Sequence, residues 1–438
     1  MTTKKTAKTV PAHGAPAEWT VMVYLAGDNS LSSAAPADLA EMKQVGSSEQ
    51  LHVLAQVDRA GSKSSTTRYR LRKGTTLAAD ALEKLGETDD GDPAVLVDFL
   101  QWGVKNYPAA HHLVVIWNHG AGWDDSDVYQ GSALGGAAPP VARKGRIVSA
   151  GRPVAGKKVP VGQARAAVKR ASRALFSTTV AKMVKMRAIA FDDQAQDYLD
   201  NIELKNALAA MTKSLGSKID IVGFDACLMS MAEVSYQIRN CALYTVGSQE
   251  EEPGDGWPYA AVLSVLDKRP QTSPEDLSKA IVQAYVASYA AGSGVTQSAV
   301  DLVQIGGVEK QVSLLGKALT PCLDDPVLRA AISAVRGQAQ SYTAPYDEYV
   351  DLVDLCIGLS ARVANAAVKR ACQAVQTAVQ KAVIASAFKG GSVAHSHGTS
   401  IYFPRRPVCS LYRTLDFAKG NDWVGFINKF VTPGTRDW

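Results

Sequence analysis

An α/β fold around a mostly parallel central sheet is predicted by three observations. First, near-continuous apolar runs of strand length recur: "WTVMVYLAG" (19–27), "LHVLAQVDR" (51–59), "HLVVIWN" (112–118) and "IDIVGFDAC" (219–227). Second, segments with helical spacing of apolar residues separate them. Third, strands that are apolar on both sides need cover on both faces, and parallel sheets flanked by helices supply it. Composition agrees: the 438 residues are 46% hydrophobic and 20% charged, with a formal net charge of +5. That describes a globular chain long enough for one large domain or two ordinary ones, and the charge alone does not suggest nucleic acid. No apolar run reaches the eighteen or so residues needed to span a bilayer. The N-terminus lacks the apolar stretch of a secretory signal, so a cytoplasmic location is the default expectation.

Residues 1–17 are rich in Lys, Thr, Ala and Pro and read as a mobile tail. The first half of a sheet domain is expected over 18–130. After the strand 19–27, "DNSLSSAAPADLAEMKQVG" reads as a turn leading into an amphipathic helix, and the strand 51–59 follows. "STTRYRLRK" (65–73) alternates like one side of a hairpin. "PAVLVDFLQWGVKNYP" (93–108) has helical spacing and begins with a proline suited to the first helical position. The strand 112–118 closes this half.

Residues 131–190 differ in kind. They hold thirteen basic residues and no acidic one, the first half being rich in Gly, Pro and Ala and the second able to form a basic helix. This reads as an insertion and a processing linker. The sheet pattern resumes over 191–265, with the strand 219–227, a helix at "LMSMAEVSYQIRNCA" and a strand at "LYTVGSQE" (243–250). Residues 266–438 are mostly helical in pattern and complete the fold, with strands at "AVDLVQI" and "GTSIYFP".

Two of the buried strands end on reactive side chains, one at His119-Gly120 and the other at Asp225-Ala226-Cys227. Loops at the carboxyl ends of parallel strands are where such sheets gather their chemistry. If the two strands are neighbours, imidazole and thiol face one cleft. A cysteine nucleophile needs a base or a lowered pKa; His119 supplies the first, and a helix starting just after Cys227 would favour the thiolate. Attack on an amide builds an oxyanion, for which the backbone N–H groups of Gly120 and Cys227 are candidate donors, the glycine keeping side-chain bulk away. The other five cysteines, Cys241, Cys322, Cys356, Cys372 and Cys409, form no CxxC pair and read as small buried hydrophobes.

These segments resemble the clostripain family of clan CD cysteine peptidases. The clan pattern is an apolar block ending in His-Gly and, later, an apolar block ending in Asp/Glu-Ala-Cys, here "LVVIWNHG" and "IDIVGFDAC". "WTVMVYLAGDNSL", "FDDQAQDYLDNIELKNAL", "SQEEEPGDGWPY" and "GTSIYFP" are further family marks. The resemblance implies a caspase-like α/β/α sandwich, a catalytic dyad of His119 and Cys227, and cleavage of protein or peptide substrates after Arg or Lys. Asp225 and Asp255 are the acidic groups that would read the basic side chain, since a pocket carboxylate pairs with guanidinium or ammonium and rejects neutral groups. Family members are commonly activated by a cut between the His and Cys segments. The candidate sites here are Arg143, Lys144, Arg146, Arg152, Lys157 and Lys158, and the cleaved fragments are expected to stay associated. The segment is longer and more basic than the family's short linkers. The chemistry requires no cofactor. Calcium dependence occurs in some members, and "DDSD" (124–127) and "FDD" (191–193) are candidate oxygen ligands, although they lack EF-hand spacing and read more simply as solvated loop acids.

Two other readings compete. The basic insertion could contact nucleic acid, but with only Phe176 among its charges it lacks the aromatic interleaving that base stacking needs. A catalytically inactive scaffold is the other, and the intact His-Gly and Asp-Ala-Cys argue against it. "HSHG" (395–398) mimics the His-Gly signal without a preceding apolar strand or a ligand-spaced partner, and reads as the turn before "TSIYFP".

Overall fold

Successive side chains of a strand point to opposite faces, and here both faces are apolar. In the strand "AEWTVMVYLAG", Trp19, Val21, Val23 and Leu25 enter one core while Met22, Tyr24 and Ala26 enter another. The computed structural model describes residues 16–29, 31–61, 65–123, 199–342 and 348–432. Residues 1–15 and the whole of the basic segment 131–190 lie outside these residues. Nine described strands form one sheet: β1 (Ala17–Gly27), β2 (Leu51–Arg59), β3 (Thr66–Arg70), β4 (Ala81–Gly86), β5 (Ala109–Trp117), β6 (Ile219–Asp225), β7 (Ala242–Gly247), β8 (Val295–Asp301) and β11 (Val383–Lys389). Their spatial order is β11-β8-β7-β6-β5-β1-β2-β3-β4. The central five, β7-β6-β5-β1-β2, are parallel, and antiparallel strands finish both margins. A second small antiparallel sheet contains β9 (Ser341–Tyr342), β10 (Tyr349–Asp351) and β12 (Ser400–Tyr402).

Helices cover both faces. Trp19, Val21, Leu113, Val115 and Trp117 pack with residues of the helices Ala35–Val45, Tyr259–Lys268 and Pro274–Ser288. Met22, Val114, Ile116, Val222 and Phe224 pack with Pro93–Asn106, Asn201–Leu215, Ala232–Ile238 and Ile305–Leu319. The C-terminal helices Leu352–Arg362, Ala366–Ala382 and Asp422–Val431 thicken this second layer. The helix ends follow local chemistry. Asp92 caps Pro93–Asn106 by accepting from Ala94 N, and Asp200 with Glu203 forms a capping box on Asn201–Leu215.

Three elements differ from the sequence expectation. The strand expected over 219–227 ends at Asp225, and the helix expected from 228 begins only at Ala232. The strand expected at "AVDLVQI" lies earlier, at 295–301, because Asp301 Oδ1 accepts from Val303 N (2.8 Å) and turns the chain into the helix Ile305–Leu319. β4 and β11 carry no sequence signal. β4 is exposed along most of its length, and β11 follows the helix Ala366–Ala382 with no intervening turn residue. Among the described residues no helix is long and apolar enough to cross a membrane.

The helix Ile305–Leu319 offers a test of this packing. A Cβ on Gly316 would lie 2.5 Å from Trp423 N and 2.6 Å from Trp423 Cα, whereas one on Gly307 meets nothing within 4 Å. Gly316→Ala is expected to lose about 2–3 kcal/mol by overpacking against backbone. Gly307→Ala, in the same helix, is expected to be neutral or to gain about 0.5–1 kcal/mol. Urea unfolding of the two variants checks the contrast.

Candidate active site

β5 and β6 pair in parallel with Trp117 opposite Asp225, and Asn118 N donates to Asp225 O (3.2 Å). His119 and Cys227 each stand two residues beyond that pair, at one level on the carboxyl edge of the sheet. Asn118 stops β5. Its Nδ2 donates to Ala26 O (2.8 Å) at the end of β1, and its Oδ1 accepts from His119 N (2.6 Å) and Asn29 Nδ2 (3.3 Å). A side-chain amide that satisfies these groups replaces the next ladder bonds and turns the chain.

The glycine after His119 has a structural cause that the sequence reading did not contain. A Cβ on Gly120 would lie 2.7 Å from Cys227 N and closer still to Cys227 O. The main chain of the cysteine segment occupies the place of a side chain, so glycine is required there before any substrate arrives. Gly122 (φ +65°) is equally constrained, its Cβ position lying 2.5 Å from Met231 Sδ and 2.9 Å from Tyr349 Cε2.

Cys227 occupies a turn, four residues short of the helix that starts at Ala232, so the helix-end account of its activation does not hold. Leu228 has φ +65°, the one positive-φ residue other than glycine among the described residues. Such a conformation costs about 1 kcal/mol or more and persists only where the surroundings enforce it. The enforcing contacts are Leu228 N to Glu250 O (3.2 Å) and Ser230 N to Ser248 O (2.8 Å), which bind the turn to the chain after β7. That chain also reaches the sulfur: Glu252 N donates to Cys227 Sγ (3.1 Å), with Glu252 O 3.8 Å away. An N–H aimed at sulfur favours the thiolate. His119 is 7% exposed and Cys227 6%. Burial pushes the His119 imidazole down to about 4, so it is neutral around pH 7.

Beside them lies a group of carboxyls. Asp225, 4% exposed, accepts from Trp257 N (3.1 Å) and Tyr259 Oη (2.7 Å). Gly223 in β6 makes room for the Trp257 ring, since a Cβ there would lie 2.6 Å from Cη2. Burial raises Asp225 to about 6 against the pull of these donors, and raises Glu252 well above the ordinary carboxylate range, with Asp225 beside it adding to the effect. Asp38 is pushed up to about 8, first by burial and then by Asp225, against a hydrogen bond from Trp117. Asp255 is exposed at the tip of the turn closed by Gly256 N to Pro253 O (3.0 Å), and contributes to the field on Asp38. Glu41 completes the group, facing Asp225 and Asp38 while accepting from Ala260 N (3.4 Å). No salt bridge among the described residues involves any of these five carboxyls. Asp38, Glu41 and Glu252 were missed in the sequence because two of them sit in an ordinary amphipathic helix and the third in a run of three glutamates.

The small sheet braces both reactive segments. Tyr349 Oη donates to Ala121 O (2.7 Å), and Ser400 N to Ser230 O (3.0 Å). "HSHG" belongs to this brace: His397 Nδ1 meets Asp351 Oδ1 (2.9 Å), and Gly398 N donates to Gln249 Oε1 (2.7 Å). Among the described residues no group of three or more His, Cys, Asp or Glu side chains is arranged to hold a metal ion. The calcium candidates at 124–127 and 191–193, and the processing candidates Arg143, Lys144, Arg146, Arg152, Lys157 and Lys158, lie outside the described residues.

The model of the clostripain family matches residues 23–135 and 178–430. The chain belongs to the clostripain family. It is therefore a cysteine peptidase. The unmatched stretch, 136–177, falls inside the basic insertion. Among solved structures, a secreted C11 cysteine protease from Bacteroides thetaiotaomicron, in complex with an irreversible peptide inhibitor, is 21% identical with a TM-score of 0.61, covering 94% of this chain and 99% of that one. An inactive zymogen C11 protease from Parabacteroides distasonis is 19% identical with a TM-score of 0.60, covering 94% and 99%. A further secreted C11 protease from Bacteroides thetaiotaomicron, iotapain, is 14% identical with a TM-score of 0.62, covering 93% and 100%. These structures share the caspase-like α/β/α sandwich with this chain. No curated protein matches it.

The Gly120 contact yields a direct test. Gly120→Ala must push the His119 and Cys227 segments apart and is expected to cut peptidase activity at least a hundredfold. Gly254→Ala, whose Cβ meets nothing within 4 Å, is expected to retain activity within about twofold of the parent. Rates on a peptide reporter, with melting curves to confirm folding, check both.

Proposed function

We propose that this chain is an endopeptidase that cleaves after Arg or Lys through a Cys227–His119 dyad. The observation that carries this reading is the register of β5 on β6, which sets both side chains at one level beside a buried carboxyl group that no described basic residue neutralises. Cys227 Sγ attacks the scissile carbonyl carbon while its proton passes to the neutral His119 imidazole. The carbonyl oxygen becomes an oxyanion facing the N–H groups of Gly120 and Cys227. Collapse breaks the C–N bond, His119 returns the proton to the leaving amine, and water then hydrolyses the thioester. Burial of His119 supports this role, because an imidazole must be neutral to accept a proton. In this reading Asp225, which is buried, and Asp255, which is exposed, are the acidic groups that meet the basic side chain.

Cys227→Ala and His119→Ala are each expected to abolish cleavage without loss of fold, while Cys241→Ala retains it. Residual turnover by Cys227→Ala at a tenth of the parent rate overturns the dyad. Peptide reporters ending in Arg or Lys should exceed those ending in Asp by orders of magnitude, since an unpaired pocket carboxylate costs roughly 3–5 kcal/mol. Asp225→Asn and Asp255→Asn should each reduce that preference.

A carboxyl raised to about 6 is protonated below that pH, and a neutral carboxyl does not hold a cation. His119, at about 4, stays neutral across the same window. kcat/KM for Arg and Lys reporters should therefore rise with pH through about 6, and the residual activity of Asp225→Asn should lack that limb. A parent profile flat from pH 5 to 7.5 counts against the pocket assignment.

We further propose that the protein is activated by a cut within 131–190. The cut separates β1–β5 from β6–β12, and both cores draw residues from either side of it, so the fragments should remain associated. Mass spectrometry after gel filtration decides this: two co-eluting fragments in the parent and an intact Cys227→Ala chain are expected. An intact, fully active parent excludes activation by cutting, and an equally nicked mutant assigns the cut to another protease.

A further inference from the structure

The second histidine of "HSHG" is the outer member of a hydrogen-bonded unit that leads inward to the Cys227 turn. At its centre is Asp351, the last residue of β10, which is fully buried and which no Lys or Arg among the described residues pairs with. Its carboxyl accepts instead from His397 N (2.6 Å), His397 Nδ1 (2.9 Å), Gln249 Nε2 (3.0 Å), Val353 N (3.0 Å) and Asp354 N (2.8 Å). A carboxylate only accepts, so Nδ1 of His397 carries the proton in this contact. The imidazole itself is 37% exposed.

Gln249 carries the unit to the turn. It is buried, its Oε1 accepts from Gly398 N (2.7 Å), and its main-chain N donates to Thr296 Oγ1 (3.0 Å) in β8. Its two chain neighbours, Ser248 and Glu250, supply the carbonyls that hold Ser230 N (2.8 Å) and Leu228 N (3.2 Å). Gly398 gives a second route, its O accepting from Ser230 Oγ (2.8 Å) and Ser298 Oγ (2.6 Å). Both routes end just beyond Cys227, where Leu228 keeps φ +65° against its own preference.

We propose that His397 is a positioning residue for Cys227, holding Asp351 so that Gln249 and Gly398 keep the turn after the sulfur in place. The role rests on the reading of Cys227 as the nucleophile. Without the Nδ1 bond Asp351 keeps only one side-chain donor, Gln249, and its carboxyl can turn and take that amide with it. Less then restrains Leu228 from the negative φ that residues with a Cβ prefer. A change there rotates the peptide joining Cys227 to Leu228 and shifts Cys227, whose sulfur and N–H both face the scissile carbonyl in the proposed mechanism. Asp225 lies ahead of the turn, at the end of β6, with its own donors in Trp257 N and Tyr259 Oη. The loss should therefore fall on kcat and spare KM.

The test uses the whole chain and an Arg reporter. His397→Leu, which keeps bulk and has no donor, is expected to lower kcat about tenfold or more while KM stays within about twofold. His397→Asn, whose Nδ2–H stands where the histidine Nδ1–H stood, should bring kcat back to within about threefold of the parent. Melting curves give the folded fraction of each variant. A purely structural His397 would lower the melting temperature and leave kcat per folded molecule unchanged, which overturns the proposal, as does an Asn variant as slow as the Leu one. If His397→Leu does not fold, Gln249→Met, which frees both Asp351 and Gly398 from the amide, should show the same fall in kcat at constant KM, and a parental kcat there overturns the role. Failure of the nucleophile reading is separate. A Cys227→Ala variant that still cleaves removes that reading and the role with it, whereas an inactive Cys227→Ala beside a fully active His397→Leu overturns the positioning role alone.

Discussion

The pairing of β5 with β6, with Trp117 opposite Asp225, is the constraint on which the reactive edge of this molecule depends. Between these two strands the chain runs through more than a hundred residues, including the basic insertion, yet they are neighbours in the sheet. A slip of one residue would send every side chain of one strand to the opposite face. Both faces of β5 are already committed, Val114 and Ile116 to one core and Leu113, Val115 and Trp117 to the other. The register is therefore held by two cores at once. Beyond the strands the same precision is maintained by main-chain packing, Gly120 against Cys227.

The C-terminal part, although mostly helical in sequence, is not an appendage. β8 and β11 extend the same sheet beyond β7. The small sheet reaches back to the His119 segment through Tyr349 and to the Cys227 segment through Ser400. Leu228 keeps its left-handed conformation because neighbouring segments hold it from outside, an example of local strain sustained by surrounding structure.

Much of this was legible in the sequence, for reasons that can be traced. The central strands were visible because burial on both faces leaves them as uninterrupted apolar runs, and the boundaries of β2 match residue for residue. His119, Gly120, Asp225 and Cys227 stood out because they break those runs at the strand ends. The invisible parts lack a local signature. β4 is a solvated edge strand, and the short helix Ala232–Ile238 is delayed by a turn that only tertiary contacts define. Asp38 and Glu41 reach the carboxyl group from a helix that has the pattern of any amphipathic helix. Their proximity to Asp225 is a product of packing between layers, and no spacing within one segment encodes it.

Burial acts on the two sides of the site in opposite senses through a single cause. Removing water penalises charge, so a base such as His119 is pushed towards its neutral form while acids such as Asp225, Asp38 and Glu252 are pushed towards theirs. For the imidazole the neutral form is the one that can take a proton from a thiol. For the carboxyls burial works against ionisation, so a charge carried there at neutral pH depends on the donors around it, as the Trp257 N–H and the Tyr259 hydroxyl act on Asp225. On the proposed reading of this edge as the place of a basic side chain, the same desolvation makes it responsive to positive charge, because a cation beside a buried carboxylate offsets part of the cost of burial. A solvated pocket of equal charge would bind cations more weakly and discriminate less, since water would screen the partner and hydrate the rejected alternatives alike. On that reading, depth at the strand ends, more than the number of acidic residues, sets the selectivity of this edge of the sheet.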